Sequence, residues 1–289
     1  MGSLWMLVAG LLFACMGVFV KLGSFQFTHI ELVFYRSFSG LLLIFLMMRA
    51  QRIPVATRHL RNHLWRGLSG TVALALFFYC LTVLPLATAI TLNYTAPMFL
   101  TLLTTLVLKD KLHLPLTLSI ALGFCGVIML LHPTLQHDKL LPGLLGLTSG
   151  LLAGVAYLNV KQLGALGEPA TRTVFYFSLT ASILSGAWIL LFDHVHRITL
   201  HGLPILLGLG ITATLAQLAM TRAYLVGRTL VVGALAYSTI LFASLFGMLL
   251  WNETLSPSSW LGMALIIASG VLSLALSSKH PLQILSEDK

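Results

Sequence analysis

The chain predicts an all-α polytopic membrane protein with ten transmembrane helices. They form two inverted five-helix repeats, with N and C termini cytoplasmic. Three observations carry this expectation. First, 58% of the 289 residues are hydrophobic and only 9% are charged, against roughly 25% charged in an ordinary soluble domain. Second, the apolar residues fall into ten continuous runs, most near the ~20 residues that a helix needs to cross a bilayer. The strands of a membrane barrel would instead alternate over about ten residues. Third, the stretch 85–112 recurs 143 residues later, so that Tyr94 coincides with Tyr237 and Lys109-Asp110-Lys111-Leu112 with Asn252-Glu253-Thr254-Leu255.

Taken in order, the runs are 3–22, 30–48, 64–84, 86–108, 116–131, 143–163, 173–192, 203–226, 230–251 and 258–277. The first starts apolar at once, without a basic segment or cleavage site, so a removed signal peptide is not expected. It closes on Lys21. The second opens with Glu31 and holds Arg36 about two turns in. The third follows a link dense in arginine. The fourth enters at Pro85 and carries Thr88, Thr91, Asn93, Tyr94 and Thr95 ahead of Pro97. Pro97 has no N–H, which leaves the Asn93 carbonyl without its helical donor. The fifth run is the shortest.

A polar link, 132–142, divides the chain into repeats at 1–133 and 141–278. Five spans per repeat is an odd number, so the second copy is inverted relative to the first. The sixth run carries Gly146, Gly150 and Gly154, a smooth face for close helix packing, within the chain by default and across a dimer seam as the alternative. In the seventh, Phe175-Tyr176-Phe177-Ser178 matches Phe34-Tyr35-Arg36-Ser37, so Phe177 stands where Arg36 stands. The eighth, ninth and tenth complete the second repeat.

Charge sets the orientation. With a cytoplasmic N-terminus, thirteen basic residues fall inside: Arg49, Arg52, Arg58, Arg61, Arg66, Lys109, Lys111, Lys161, Arg172, Arg222, Arg228, Lys279 and Lys289. Only Lys21, Lys139 and Arg197 fall outside, which places both termini in the cytoplasm. The net charge of +9 is thus topological, and no nucleic-acid partner is expected. Membrane lipid is the surrounding partner, and the chain is expected as a monomer or weak homodimer.

Polar groups set in apolar spans are the candidate substrate contacts: Arg36, Asn93, Tyr94 and Tyr237 first, then Tyr79, Tyr157, Asn159 and Gln217. Arg36 suits an anionic or carboxylate group, and Tyr94 with Tyr237 a planar or apolar one. Glu31 and Lys21 are expected to pair as a gate; a protonatable Glu31 would instead couple transport to a proton gradient. Asp110 and Glu253 are read as loop caps. No cofactor or metal is expected. Cys15, Cys80 and Cys125 lie in spans without ligand spacing, His194 and His196 lack a third partner, and no GxxxxGK[ST] loop is present.

Several stretches resemble the drug/metabolite transporter superfamily, in the form with two EamA-type domains. They are FACMGVFVKLG in the first run, ELVFYR opening the second, LTVLPLATAITLNYTAPMF across the third and fourth, and SWLGMALIIASGVLSL in the tenth. Asp110 departs from the family's usual glutamate, which Glu253 keeps. The resemblance implies a ten-helix carrier whose cavity is lined by helices one to four and six to nine. It implies a secondary transporter moving a small organic metabolite (an amino acid, a nucleoside-like or a drug-like compound) by alternating access, as export or exchange. The setting would be the plasma membrane, the inner membrane in a bacterium. An integral membrane enzyme acting on a lipid and a channel are the alternatives, and the histidines supply no catalytic cluster for the first.

Overall fold

The computed structural model describes residues 4–107, 114–135, 139–193, 195–226 and 235–277. The Lys109-Asp110-Lys111 cluster, the start of the 230–251 run and the C-terminal tail lie outside the described residues. Within them are eleven helices: α1 (Trp5–Gly23), α2 (His29–Ala50), α3 (Leu60–Val83), α4 (Leu86–Asn93), α5 (Ala96–Val107), α6 (Leu114–Leu135), α7 (Leu140–Ala165), α8 (Ala170–Phe192), α9 (Gly202–Val226), α10 (Ser238–Trp251) and α11 (Pro257–Ser277). Six of them, α1, α2, α3, α7, α8 and α9, are long and apolar enough to cross a membrane. Large apolar side chains face outward in numbers that water would not tolerate: Leu46, Ile128, Leu190 and Leu249 are 63–80% exposed. The molecule is an all-α polytopic membrane protein, and that outer belt suits lipid.

Inside, Leu32, Phe78, Leu81 and Leu92 anchor one continuous core. Several buried hydroxyls bond to carbonyls of their own helices. Thr71 donates to the Gly67 carbonyl, Thr91 to Ala87 and Ser182 to Ser178, each at 2.7 Å. Such local bonds keep polar groups paired where no water is at hand.

The closest helix pairs join the two parts of the chain: α1 with α9, α2 with α8, α3 with α7, and α6 with α11. Phe45 meets Phe175 at a centroid distance of 6.2 Å, and Phe34 lies over Gly186, so α2 and α8 run antiparallel. At the start of α2, Thr28 and Glu31 form a reciprocal cap: each side chain accepts the other's backbone N–H.

Hydropathy alone predicts one helix over 86–108. The structure divides it instead, ending α4 at Asn93 and starting α5 at Ala96. The Thr95 hydroxyl donates to the Leu92 carbonyl at 2.6 Å, and Pro97 has no N–H to offer Asn93. Both weaken the helical ladder at that point. The glycines of α7 lie against the break. A Cβ at Gly150 would come within 2.6 Å of the Leu92 carbonyl, and one at Gly154 within 3.1 Å of Ala96. The stripe thus packs inside the chain, and the small residues let α7 approach a backbone that is itself irregular. The run expected to be shortest is also longer than its hydropathy implies, since α6 spans 22 residues.

Candidate functional site

Two guanidinium groups meet at one aromatic ring. Arg36 is the eighth residue of α2, and Phe177 is the eighth of α8. Cζ of Arg36 lies 5.7 Å from the Phe177 centroid, and Cζ of Arg66, from α3, lies 4.3 Å from it. Both arginines are only 8% exposed. The close fit of α3 on α8 makes this possible: Gly67 sits where a Cβ would strike Thr180, and Gly70 leaves room for the Arg66 guanidinium beside Phe177.

Neither arginine has an acidic partner among the described residues. Nε of Arg36, and Nε and Nη1 of Arg66, make no hydrogen bond there. The described acids are Glu31, Glu168, Asp193 and Glu253; the ion pairs of the three glutamates go to Lys21, His63, Arg172 and His196, and Asp193 closes α8 well beyond Phe177. A charge at the centre of a bilayer-spanning helix costs about 2.5–3.5 kcal/mol on insertion scales. A cation against an aromatic face recovers about 0.5–2 kcal/mol. One ring shared by two cations therefore offsets only part of the cost. Tyr157 of α7 lies in the neighbourhood of both guanidiniums. A narrow pocket opens on Arg36, lined also by Gly40, Phe177, Ser178, Thr214 and Gln217.

The two tyrosines anticipated from the repeat do come together. Their ring centroids are 6.2 Å apart, and the Tyr94 hydroxyl lies 2.9 Å from Thr239 Oγ1. Tyr237 is enclosed at 2% exposure, with Gly270 against its hydroxyl. Tyr94 is half-buried. Asn93 donates to Ser149 on α7 at 2.7 Å. Asn159 donates instead to the Val155 carbonyl of its own helix at 3.0 Å, which ties it locally. Tyr79 stands edge-on to His29 at 5.5 Å, away from the arginines. Of the second-rank candidates, Gln217 and Tyr157 join Arg36, and Tyr79 and Asn159 do not.

The expected pairing of Lys21 with Glu31 is not what forms. Lys21 pairs with Glu253 and stands over the Trp251 ring at 4.8 Å. Glu31, 1% exposed, accepts the His196 backbone N–H at 2.8 Å, and its other oxygen lies 2.8 Å from His196 Nδ1. The capping box explains the difference: it holds the Glu31 carboxylate back over Thr28, where the 195–201 segment reaches it. Glu253 has a second task, since it accepts the Leu86 N–H at 2.9 Å. The helix start at Pro85 has no side chain to cap it, and the carboxylate fills that role across 167 residues.

A third ionic cluster ties the other end of α2 to α8. Arg172 donates to Glu168 at 2.8 Å and to the Pro54 carbonyl at 3.0 Å. Thr57 donates to Glu168 at 2.5 Å, and the Tyr176 hydroxyl to the Val55 carbonyl at 3.0 Å. His63 stacks on Tyr176 at 4.6 Å, with Nε2 3.4 Å from Glu168. Burial alone would raise the Glu168 carboxyl, but Thr57, Arg172 and His63 outweigh it and hold the group below the ordinary carboxylate value. The 22 residues of α2, about 33 Å at 1.5 Å per residue, separate this cluster from the Glu31 end.

Arg66 is the residue that the sequence reading missed. Its neighbours Arg49 to Arg61 draw it into the basic link, yet it lies inside the apolar run that begins at Leu64. That position was the available signal.

Comparison with known proteins agrees with this architecture. Residues 1–132 and 141–275 match the sequence profile of the EamA-like transporter family. The chain is 30% identical to an uncharacterized transporter of Helicobacter pylori over 283 residues, covering 94% of this chain and 93% of that protein. It is 30% identical over 271 residues to the pseudopaline exporter CntI of Pseudomonas aeruginosa, with 94% and 92% covered. A riboflavin transporter of Vibrio cholerae is 27% identical over 280 residues, with 93% and 91% covered. A protein of known crystal structure shares the fold at a TM-score of 0.67 and 18% identity, over 97% of this chain and 99% of that one.

Proposed function

The chain belongs to the EamA-like transporter family, and on that premise we propose that it exports a small organic anion by alternating access. It is an integral, multi-pass membrane protein that carries out secondary transport of small metabolites, and it is not an enzyme. In our reading, the ten apolar runs form two inverted repeats, 1–133 and 141–278, with both termini cytoplasmic and the bacterial inner membrane as the setting. Similarity to a protein named as an exporter over 94% of this chain supports the outward direction. The same chain resembles proteins named as riboflavin transporters, which keeps a planar cargo as the second reading, with Tyr94 and Tyr237 near its path.

The observation that carries the proposal is Arg36: a buried guanidinium without an acidic partner among the described residues, at the mouth of a pocket between α2, α8 and α9. A charge in that setting is costly, and an anionic substrate supplies its counter-charge. In this scheme Asn93, Gln217 and Tyr157 add polar contacts. Lys21–Glu253 and Glu31–His196 hold one face shut and the Glu168 cluster the other, so alternating access breaks them in turn. In this reading the cycle needs only a monomer.

Reconstitution tests this directly. Liposomes containing the purified protein are loaded with a pool of bacterial small metabolites, and mass spectrometry identifies the compounds that exchange in a saturable way. Arg36→Lys should weaken exchange of an anionic compound, because the ammonium lacks the planar fork; Arg36→Gln should weaken it further. Unaltered affinity in folded variants removes Arg36 from the site, and no saturable exchange with any pool overturns the transport reading.

A further inference from the structure

The arrangement around Phe177 asks for more than one negative charge. Arg36 and Arg66 come from different helices and lean on the same ring, so their Cζ atoms are at most 10 Å apart. Both are more than nine-tenths buried. Unpartnered nitrogens remain on each, Nε on Arg36 and Nε with Nη1 on Arg66. A single carboxylate would quench one guanidinium and leave the other facing it unpaired.

We propose that Arg36 and Arg66 together recognise a substrate with two carboxylates, each guanidinium taking one, with the carbon chain between them lying along Phe177. The proposal rests on the transport reading and adds to it the substrate class and a second specificity-determining residue, Arg66. Its physical basis is symmetrical. The site holds two like charges withdrawn from solvent, and a dianion relieves both their desolvation and their mutual repulsion at once. Arginine suits this better than lysine, because its flat fork pairs with a carboxylate through two parallel bonds and its face lies on an aromatic ring.

The test uses detergent-purified protein and a graded series of probes: malonate, succinate, glutarate and adipate, with butyrate as the monocarboxylate and succinamide as the neutral isostere. Binding is measured by calorimetry, and each protein's thermal unfolding is recorded alongside. At least one dicarboxylate should bind about tenfold or more tighter than butyrate, the gain expected from one further charge-assisted pair. Arg66→Gln should abolish that preference by weakening the dicarboxylate far more than butyrate, and Arg66→Lys should retain part of it. Should Arg66→Gln fail to fold, Arg66→Lys carries the comparison.

Equal affinity for butyrate and every dicarboxylate, no binding of any probe, or an undiminished preference in Arg66→Gln would overturn the proposal. Saturable exchange of a neutral or singly charged compound in liposomes would do so too while leaving the transport reading intact.

Discussion

Tyr94 and Tyr237, 143 residues apart in the chain, stand with their rings 6.2 Å apart, each at the edge of a helix: Tyr94 follows α4 and Tyr237 precedes α10. Their environments differ. Tyr237 is enclosed, whereas Tyr94 is half-buried and reaches Thr239 through its hydroxyl at 2.9 Å. Tyr94→Phe removes that bond and keeps the ring, so it should cost about 1 kcal/mol. Tyr237→Ala empties an enclosed site and should cost roughly 3–5 kcal/mol, the range for large aromatic truncations. Thermal unfolding in detergent should rank wild type above Tyr94→Phe, and Tyr94→Phe well above Tyr237→Ala. The reverse order would mean that the Tyr237 pocket collapses without strain.

Acid should release the Glu168 cluster. The folded carboxyl is held below its ordinary value by Thr57, Arg172 and His63, against the opposing effect of burial. A depressed carboxylate stabilises the fold above its unfolded pKa, about 4.3 for glutamate, and loses that contribution as pH falls through the lower folded value. Wild type should therefore melt higher than Glu168→Gln at pH 7, and the gap should close as the pH falls below about 4. A gap that stays constant across that range would show that Glu168 acts through shape and not charge.

Topology has its own measurement. Gln51 follows α2 at the Glu168 end, whereas Arg197 adjoins His196 at the Glu31 end, and both are exposed. With Cys15, Cys80 and Cys125 replaced, a cysteine at Arg197 should react with an impermeant reagent in intact cells. One at Gln51 should react only after the membrane is opened. Reaction of both in intact cells would sink the proposed orientation.

What could be read beforehand divides along a physical line. Apolar length and glycine spacing are properties of one segment, so the six long apolar helices and the α7 stripe were visible in the residues themselves. The Tyr94–Tyr237 meeting was visible too, because the repeat relates the two positions. The interruption at Tyr94 was half-visible: Pro97 marks the missing donor, but hydropathy runs unbroken across it. Charge pairing across helices was not legible. Lys21 finds Glu253, 232 residues away, and not the nearby Glu31, because the Thr28 capping box has already turned that carboxylate. Arg66 was hidden for a related reason. Local composition groups it with the link arginines, and only the fit of Gly67 on Thr180 brings it to Phe177.

The Lys21–Glu253 contact yields the last prediction, because one carboxylate serves two unlike partners. One oxygen pairs with the Lys21 ammonium and the other accepts the Leu86 N–H at the start of α4. Asn252, in the left-handed conformation at φ 49°, ends α10 and turns Glu253 toward both; asparagine tolerates that conformation better than most residues. Lys21→Met removes the ion pair and leaves the cap. Glu253→Gln likewise loses the ion pair but keeps an oxygen for Leu86. Glu253→Ala loses both. Lys21→Met, which also loses the contact with Trp251, should therefore destabilise at least as much as Glu253→Gln, and Glu253→Ala should add about 0.5–2 kcal/mol to the Glu253→Gln loss, the usual cost of a lost helix cap. In the Lys21→Met background, Glu253→Gln should cost almost nothing further, since the charge has no partner left, while Glu253→Ala should still cost the cap. Thermal unfolding of the three single and two double variants reads all of these terms. Equal loss in Glu253→Gln and Glu253→Ala would refute the capping role and leave Glu253 as an ion-pair partner alone.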